Sequence, residues 1–403
     1  MIKKIESDHL TIGMYVNQLD RPYLETPFLS HKFFLKTPKQ IDQLRKYCRY
    51  VYVDTEKGMD IDPVQEVPKA DLVENAFLSV GNSRKKDDKT SILGDREIHR
   101  ALEVHNQAQK VIGKILEDVR LGESIKTAEA KQAVNAIVNS LIEDQDALLC
   151  FSQLKTRDEY TAFHSINVSI LSVAFGKQLG LSVEELQILG LGGLLHDIGK
   201  MRIPLEILNK PGKLTDAEFE IMKSHVLLAK DLLERAGDFP VKAMEVVLQH
   251  HERYDGRGYP SGLIGNQIDL FGRIASIVDV YDAISSDRIY RNAMPPHEAI
   301  KRIYEWSATD FERSLVEHFI KAIGIYPVGS LVEINRSDVG MVVSTSQKDA
   351  LKPVVLLLFD SQKQKYKPPR LIDLTEKDPV FNSSFWSVSK VLGPAGKEIL
   401  SAL

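Results

Sequence analysis

Leu189-Gly190-Leu191-Gly192-Gly193-Leu194-Leu195-His196-Asp197-Ile198-Gly199-Lys200 is the stretch that decides how this chain reads. From Leu189 to Leu195 no polar side chain interrupts the run, which predicts a buried helix delivering His196 and Asp197 to an interior site. If that helix continues, His196 and Lys200 stand at i,i+4 and Asp197 and Lys200 at i,i+3, so all three share a face. Imidazole and carboxylate together suit iron, manganese, zinc or a similar ion. Asp197 can bridge two ions and His196 can bind one. Lys200 can donate to a phosphate oxygen or protonate a leaving alkoxide.

A lone His-Asp pair is ordinarily a hydrogen-bonded surface pair, and an adjacent His-His is often just a polar helix end facing the dipole. Here neither is isolated. Working outward from the pair, His164 lies upstream, and His225, the doublet His250-His251 and Asp279 lie downstream, each in a mainly apolar helical context. Such a set can hold two metals sharing a carboxylate, the apparatus for attacking a phosphodiester with a metal-activated hydroxide. His9, His31, His99, His105, His297 and His318 stand alone and receive no role.

The chain of 403 residues exceeds what one core normally serves, so two or three domains are expected. A net charge of −4 gives no electrostatic case for a nucleic-acid polymer but leaves room for a small anionic ligand in a local basic pocket. Cys48 and Cys150 are far apart and in no CxxC pair, which argues against a disulfide framework or zinc knuckle. The segment Met1–Asp8 lacks the apolar core of a signal peptide, and no apolar run approaches the ~18–20 residues needed to span a bilayer. A cytoplasmic protein is the expectation.

Residues 1–60 read as a small α/β or β-rich unit: a helix around Lys39–Arg45 with Ile41, Leu44 and Cys48 on one face, then the β-favouring run Tyr50-Val51-Tyr52-Val53. Residues 61–96, with Pro63, Pro68 and the mixed charges Arg84–Lys89, read as a linker. Residues 97–326 read as helical, with Val111, Ile112, Ile115 and Leu116, then Ala133, Ile137, Leu141 and Ile142, then Phe163, Ile166, Ile170 and Val173 at helical spacing. After Tyr326-Pro327-Val328-Gly329 the period changes, and residues 327–403 read as a short β-rich appendage built on runs such as Val354–Phe359. The fold class is therefore multidomain and mainly α, an all-helical core with a small N-terminal α/β or β-rich domain and a β-rich C-terminal extension.

Residues 150–325 resemble an HD-GYP domain, a branch of the HD metal-dependent phosphohydrolases. The likeness rests on His196-Asp197-Ile198-Gly199-Lys200, on Ile203-Pro204 with Lys210–Thr215, and on His250-His251-Glu252-Arg253-Tyr254-Asp255-Gly256-Arg257-Gly258-Tyr259-Pro260. Asp279–Ala283 and Ser286–Arg291 follow at the family's spacing. The resemblance implies hydrolysis of the bacterial messenger cyclic di-GMP to linear pGpG, and further to GMP in some readings. It implies metal ligation by His164, His196, Asp197, His225, His250, His251 and Asp279, with Asp197 and Lys200 catalytic. It also implies substrate contacts from Lys200, Tyr259, Asp282, Arg288 and Arg291, the arginine fork being suited to phosphate and to stacking on guanine. Gly256 and Gly258 would permit the turn that presents Tyr259.

Residues 1–60, through Gly13–Val16 and Leu19–Pro22, resemble a small domain of unknown function that often precedes HD-GYP domains, for which regulation or dimerisation is the suggested role. A cyclic dinucleotide and a second copy of the chain are the expected partners. The expected cofactors are two divalent ions, iron or manganese, although zinc accepts the same ligands. Some members hold a third metal with a glutamate four residues before the first histidine. Tyr160 occupies that position here and Glu159 sits one residue off, about 100° around a helix, so two metals are expected. Three other readings stay open: hydrolysis of cyclic GMP-AMP, a sensor that binds cyclic di-GMP without cleaving it, and an alarmone hydrolase of the wider superfamily.

Overall fold

The computed structural model describes residues 2–7, 10–19, 33–55, 57, 95–152, 160–210, 212–286, 293–335, 337–346, 349–376 and 386–392. It divides into two compact units, Met1–Pro68 and Lys69–Leu403.

In the first unit β1 (Ile2–Glu6), β2 (Tyr15–Leu19), β3 (Phe33–Phe34) and β4 (Tyr50–Asp54) form an antiparallel sheet in the order β1-β4-β2-β3. Helix α1 (Pro38–Tyr47) starts at a capping box: Gln40 N–H donates to the Thr37 hydroxyl, and the Gln40 side chain accepts from Thr37 N–H. Its Ile41 and Leu44, with Cys48 just beyond, are buried with Val16, Val51 and Val53, the period-two positions of the sheet. This matches the amphipathic face expected of the segment.

The second unit is helical first. Its helices of eight or more residues are α2 (Asp95–Leu121), α3 (Thr127–Glu143), α4 (Gln145–Ser152), α5 (Tyr160–Gln178), α6 (Val183–Leu195), α7 (Asp216–Lys223), α8 (His225–Ala236), α9 (Val241–Gln249), α10 (Leu270–Ser285), α11 (Pro296–Trp306) and α12 (Arg313–Ile323). Helices α5 and α6 lie at the centre, with Ile166, Ile170, Val173, Phe175, Leu189, Leu191 and Leu194 all buried. The glycines of α6 explain how so apolar a helix can be enclosed. A Cβ on Gly192 would come within 2.6 Å of Val246, and one on Gly190 within 2.8 Å of Val173, so α5 and α9 pack against bare backbone. No described helix is long and apolar enough to cross a membrane.

The remaining strands, β5 (Leu331–Ile334), β6 (Val339–Ser344), β7 (Val354–Phe359), β8 (Lys365–Asp373) and β9 (Val388–Val391), form a second antiparallel sheet in the order β8-β7-β6-β5-β9. All six residues of β7 are buried because both faces of the strand are covered. Leu356 and Leu358 join the helical core, while Val355 and Leu357 pack with Trp386 and Ile372. Ser344 on β6 donates to Asp146 on α4 at 2.5 Å. The sheet is thus docked on the helices rather than appended to them. A run of six apolar residues conceals which alternate side chains meet which layer, so that docking was not legible from hydrophobicity alone. Cys48 and Cys150 are both buried thiols. Of the linker expected at 61–96, residues 61–94 fall outside the described residues, and Asp95 and Arg96 open α2.

Candidate metal centre

The central helices supply the site. The second turn of α5 begins with His164, and Asn167 follows three residues on. Helix α6 ends at Leu195, with His196 as its C-cap, and does not continue as the sequence spacing implied. Asp197 takes φ −100° and ψ 8°, and Ile198–Arg202 form a 3-10 helix. The close approach of α8 accompanies this break: a Cβ on Gly199 would lie 1.9 Å from the carbonyl oxygen of His225, so glycine is required where the chain passes beneath α8. Lys200 still reaches Asp197, its Nζ lying 2.5 Å from Oδ2. His225 opens α8, His250 caps α9 and His251 follows it. Asp279 and Asp282 are one turn apart on α10.

Asp197 is the hub. Its Oδ1 lies 3.3 Å from His225 Nε2 and 3.8 Å from His250 Nε2. Its Oδ2 lies 3.5 Å from His164 Nε2 and 3.3 Å from His196 Nε2. Asp279 closes the other side, with Oδ1 at 3.2 Å from His164 Nε2 and Oδ2 at 3.7 Å from His251 Nδ1. Two clusters with metal-ligand spacing result, Asp197 with His225, His250 and His251, and Asp197 with His164 and His196. They share Asp197 through different oxygens.

The far nitrogens set the tautomers. His196 Nδ1 lies 2.8 Å from Gly193 O, His225 Nδ1 2.7 Å from Met222 O, and His250 Nδ1 2.8 Å from Val247 O. His164 Nδ1 lies 2.8 Å from Asp282 Oδ2. Carbonyl and carboxylate oxygens can only accept, so each Nδ1 is the donor and each neutral ring aims an Nε2 lone pair inward. Among the described residues, His196 Nε2 and Asp197 Oδ1 are buried without any hydrogen bond. His225 Nε2 and His250 Nε2 face each other at 3.4 Å. Converging lone pairs on buried atoms are what a cation would satisfy, and the residues fit a divalent pair.

Burial, then the neighbouring His196, pushes the His250 imidazole down to about 3, and burial with His250 beside it lowers His251 well below its ordinary range, so both stay neutral. Burial opposes ionisation of Asp197, but His196 and Lys200 outweigh it and hold the carboxyl well below the usual carboxylate range. Asp279 is also strongly lowered: burial opposes it, and His164 and His251 prevail.

The loop after His251 forms the wall. Gly256 has φ 84°, in the left-handed region, and a Cβ on Gly258 would lie 2.3 Å from the backbone nitrogen of Arg253, so both glycines are demanded by the turn. Tyr259 lies against His251, ring centres 4.6 Å apart. Burial, then Asp197 and Asp279, raises the Tyr259 phenol and keeps it protonated. Glu252 carries no role in the expected ligand set. It is buried and accepts from Ser261 N–H at 2.8 Å and Leu263 N–H at 3.1 Å, pinning the loop. A glutamate directly after two candidate ligands was the available signal.

Asp282, which the resemblance implies is at the substrate, lies fully buried behind His164, bonded to His164 Nδ1 and accepting from Asn167 Nδ2 at 3.1 Å. With Asp279 facing the ligands, one further turn of α10 points Asp282 at the back of the imidazole. Arg288, Arg291 and Glu159 lie outside the described residues, and Tyr160 is the first residue of α5.

Residues 138–315 match the family model of the HD domain, residues 2–130 that of a domain of unknown function, and residues 331–385 that of a KOW domain associated with the HD domain. The chain is 36% identical over 376 residues to a cyclic di-GMP phosphodiesterase of Pseudomonas aeruginosa, covering 93% of this chain and 89% of the relative. It is 40% identical over 167 residues to a cyclic di-GMP phosphodiesterase of Thermotoga maritima, covering 41% of this chain and 45% of that protein. A 3'3'-cGAMP-specific phosphodiesterase of Vibrio cholerae is 31% identical over 226 residues, 54% of this chain and 49% of that protein.

Proposed function

The chain belongs to the HD-GYP branch of the HD metal-dependent phosphohydrolases, and from that premise we propose that it hydrolyses cyclic di-GMP to the linear dinucleotide. The observation that carries this reading is Asp197, which turns one oxygen to each of two clusters of buried, inward-facing imidazoles. A bound divalent pair, iron or manganese in this reading, supplies Lewis acidity toward phosphoryl oxygens and acidifies water. His164, His196, His225, His250 and His251 with Asp197 and Asp279 would hold it.

The chain's own groups do the rest. Lys200, whose Nζ donates to Asp197 Oδ2 at 2.5 Å, is the group assigned to contact the scissile phosphate and to protonate the departing 3' oxygen. Tyr259, held as the neutral phenol, can donate its O–H to a phosphoryl oxygen. Arg288 and Arg291 are assigned to clamping the substrate phosphates. Water adds to phosphorus, the P–O3' bond breaks, O3' takes a proton from Lys200, and Lys200 regains the proton that the attacking water releases, so the ring opens.

The kinship with a 3'3'-cGAMP-specific enzyme makes cyclic GMP-AMP the second substrate to try. The test is anaerobic incubation of protein loaded with Fe(II) or Mn(II) with each dinucleotide in turn, products resolved by chromatography and metals counted on the same sample. Turnover of cyclic di-GMP with two metals per chain supports the proposal. Binding without turnover in metal-replete protein overturns it in favour of a sensor, and three metals per chain overturn the two-metal reading.

A further inference from the structure

Phe219 on α7 is 46% exposed. Scattered surface hydrophobes are common and need no explanation, but this one continues a line of rings that starts at the metal centre. Its ring meets that of Tyr259 edge-on, centres 6.2 Å apart, and Tyr259 in turn lies 4.6 Å from His251. Lys223, one turn along α7, holds its ammonium 5.5 Å from the Phe219 ring centre and 5.7 Å from that of Tyr259, and pairs with Glu220 at 2.6 Å.

The platform is held at both ends. Thr215 and Glu218 form a capping box at the start of α7, and Lys210 bonds Glu218 at 2.6 Å. At its other end α7 passes through Ser224 directly into His225, the first residue of α8. Phe219 is therefore tied to the ligand frame by six residues of nearly continuous helix. An exposed aromatic face with a cation beside it, fixed at the edge of a phosphodiester site, matches the chemistry of a nucleobase: a π-face to stack on, and a donor for the O6 and N7 acceptors of guanine.

We propose that Phe219 and Lys223 form a purine subsite, Phe219 stacking on one base of the cyclic dinucleotide and Lys223 donating to its acceptor edge. The inference rests on the phosphodiesterase reading and adds a place for the base.

The test compares metal-loaded wild type with Phe219→Ala, Phe219→Trp and Lys223→Met. Cyclic di-GMP turnover is measured together with binding of a cyclic dinucleotide in which one guanine is replaced by 2-aminopurine, its fluorescence read by stopped flow before turnover. Phe219→Ala is expected to raise KM about tenfold and to lose most of the quenching on binding, with metal content as in wild type. Phe219→Trp restores both, which a merely structural role for the ring would not do. Lys223→Met raises KM for the guanine substrate while quenching persists. Wild-type KM and quenching in Phe219→Ala overturn the subsite and leave the proposed function standing. A wild type that neither binds nor cleaves the dinucleotide overturns both.

Discussion

Asp282→Ala separates two readings of a residue that the family resemblance implies is at the substrate and the structure places behind a ligand. Asp282 Oδ2 accepts from His164 Nδ1 at 2.8 Å and from Ser286 Oγ at 3.2 Å, and Oδ1 accepts from Asn167 Nδ2 at 3.1 Å. Truncation leaves the His164 N–H without this acceptor, in a site closed to water, and frees the ring to rotate or to change tautomer. Losing such an outer partner typically costs 10–100-fold in metal affinity, about 1.4–2.7 kcal/mol. Asp282→Asn should cost less. Its amide oxygen can still accept from His164, and its amide nitrogen can donate to Asn167 Oδ1, a buried atom with no hydrogen bond in the structure, once that side chain is turned to present it. The assay is Mn(II) titration of metal-free protein alongside KM for the dinucleotide on metal-saturated protein. The expected order of metal affinity is wild type, then Asn, then Ala, with KM at saturating metal nearly constant. Wild-type metal affinity in Asp282→Ala together with a raised KM would refute the outer-shell role and restore Asp282 to the substrate.

Asp197→Ala should abolish turnover and lower bound metal while circular dichroism stays helical; near-normal activity would contradict the bridging assignment. Gly199→Ala drives a methyl into the carbonyl of His225 and should be among the most damaging single-methyl changes, seen as a lower Tm and weaker metal binding. Glu252→Ala removes both acceptors that pin the loop and should raise KM several-fold with metal content intact, whereas equal loss of metal would mean that the loop's main task is holding His251. His105 sits between Phe151 and Phe163, and burial lowers its pKa from 6.5 to about 4. Because the folded value lies below the unfolded one, the unfolded chain takes the proton first and stability falls as pH drops from about 6.5 to about 4. At about 1.36 kcal/mol per unit, the full effect is somewhat over ~3 kcal/mol. His105→Leu should flatten that part of the stability–pH curve in urea melts, and an unchanged curve would show that the ring does not protonate on unfolding in this range.

Much of this was written in the chain, because the signals that matter are local. The apolar run ending in His196-Asp197 predicts an enclosed helix delivering ligands, and the structure has that helix, with the doublet at His250 following another. What spacing could not reveal was how the backbone behaves between elements. Asp197 and Lys200 share a face on a continuing α-helix, yet the helix stops at Leu195. They meet instead because a 3-10 turn brings Lys200 back, and the constraint that forces that turn, Gly199 against the carbonyl of His225, joins residues 26 apart in the chain. The same holds for Asp282. Both aspartates on α10 face the same side, and only the position of α5 decides that Asp279 meets the ligand nitrogen of His164 while Asp282 meets the opposite one.

That division of labour bears on why two aspartates are needed one turn apart. Asp282 on Nδ1 fixes the tautomer and aim of the His164 imidazole, while Asp279 Oδ1, 3.2 Å from Nε2, stands beside the inward lone pair as a second candidate ligand. The three histidines that rely on backbone carbonyls, His196, His225 and His250, all sit at helix ends, where the carbonyl three residues back is near enough to accept. His164 lies within the first turns of α5, where backbone carbonyls are engaged along the helix, so a carboxylate from another helix takes their place. An imidazole ligand placed inside a helix therefore needs an acceptor supplied in trans, whereas one at a helix end carries its own.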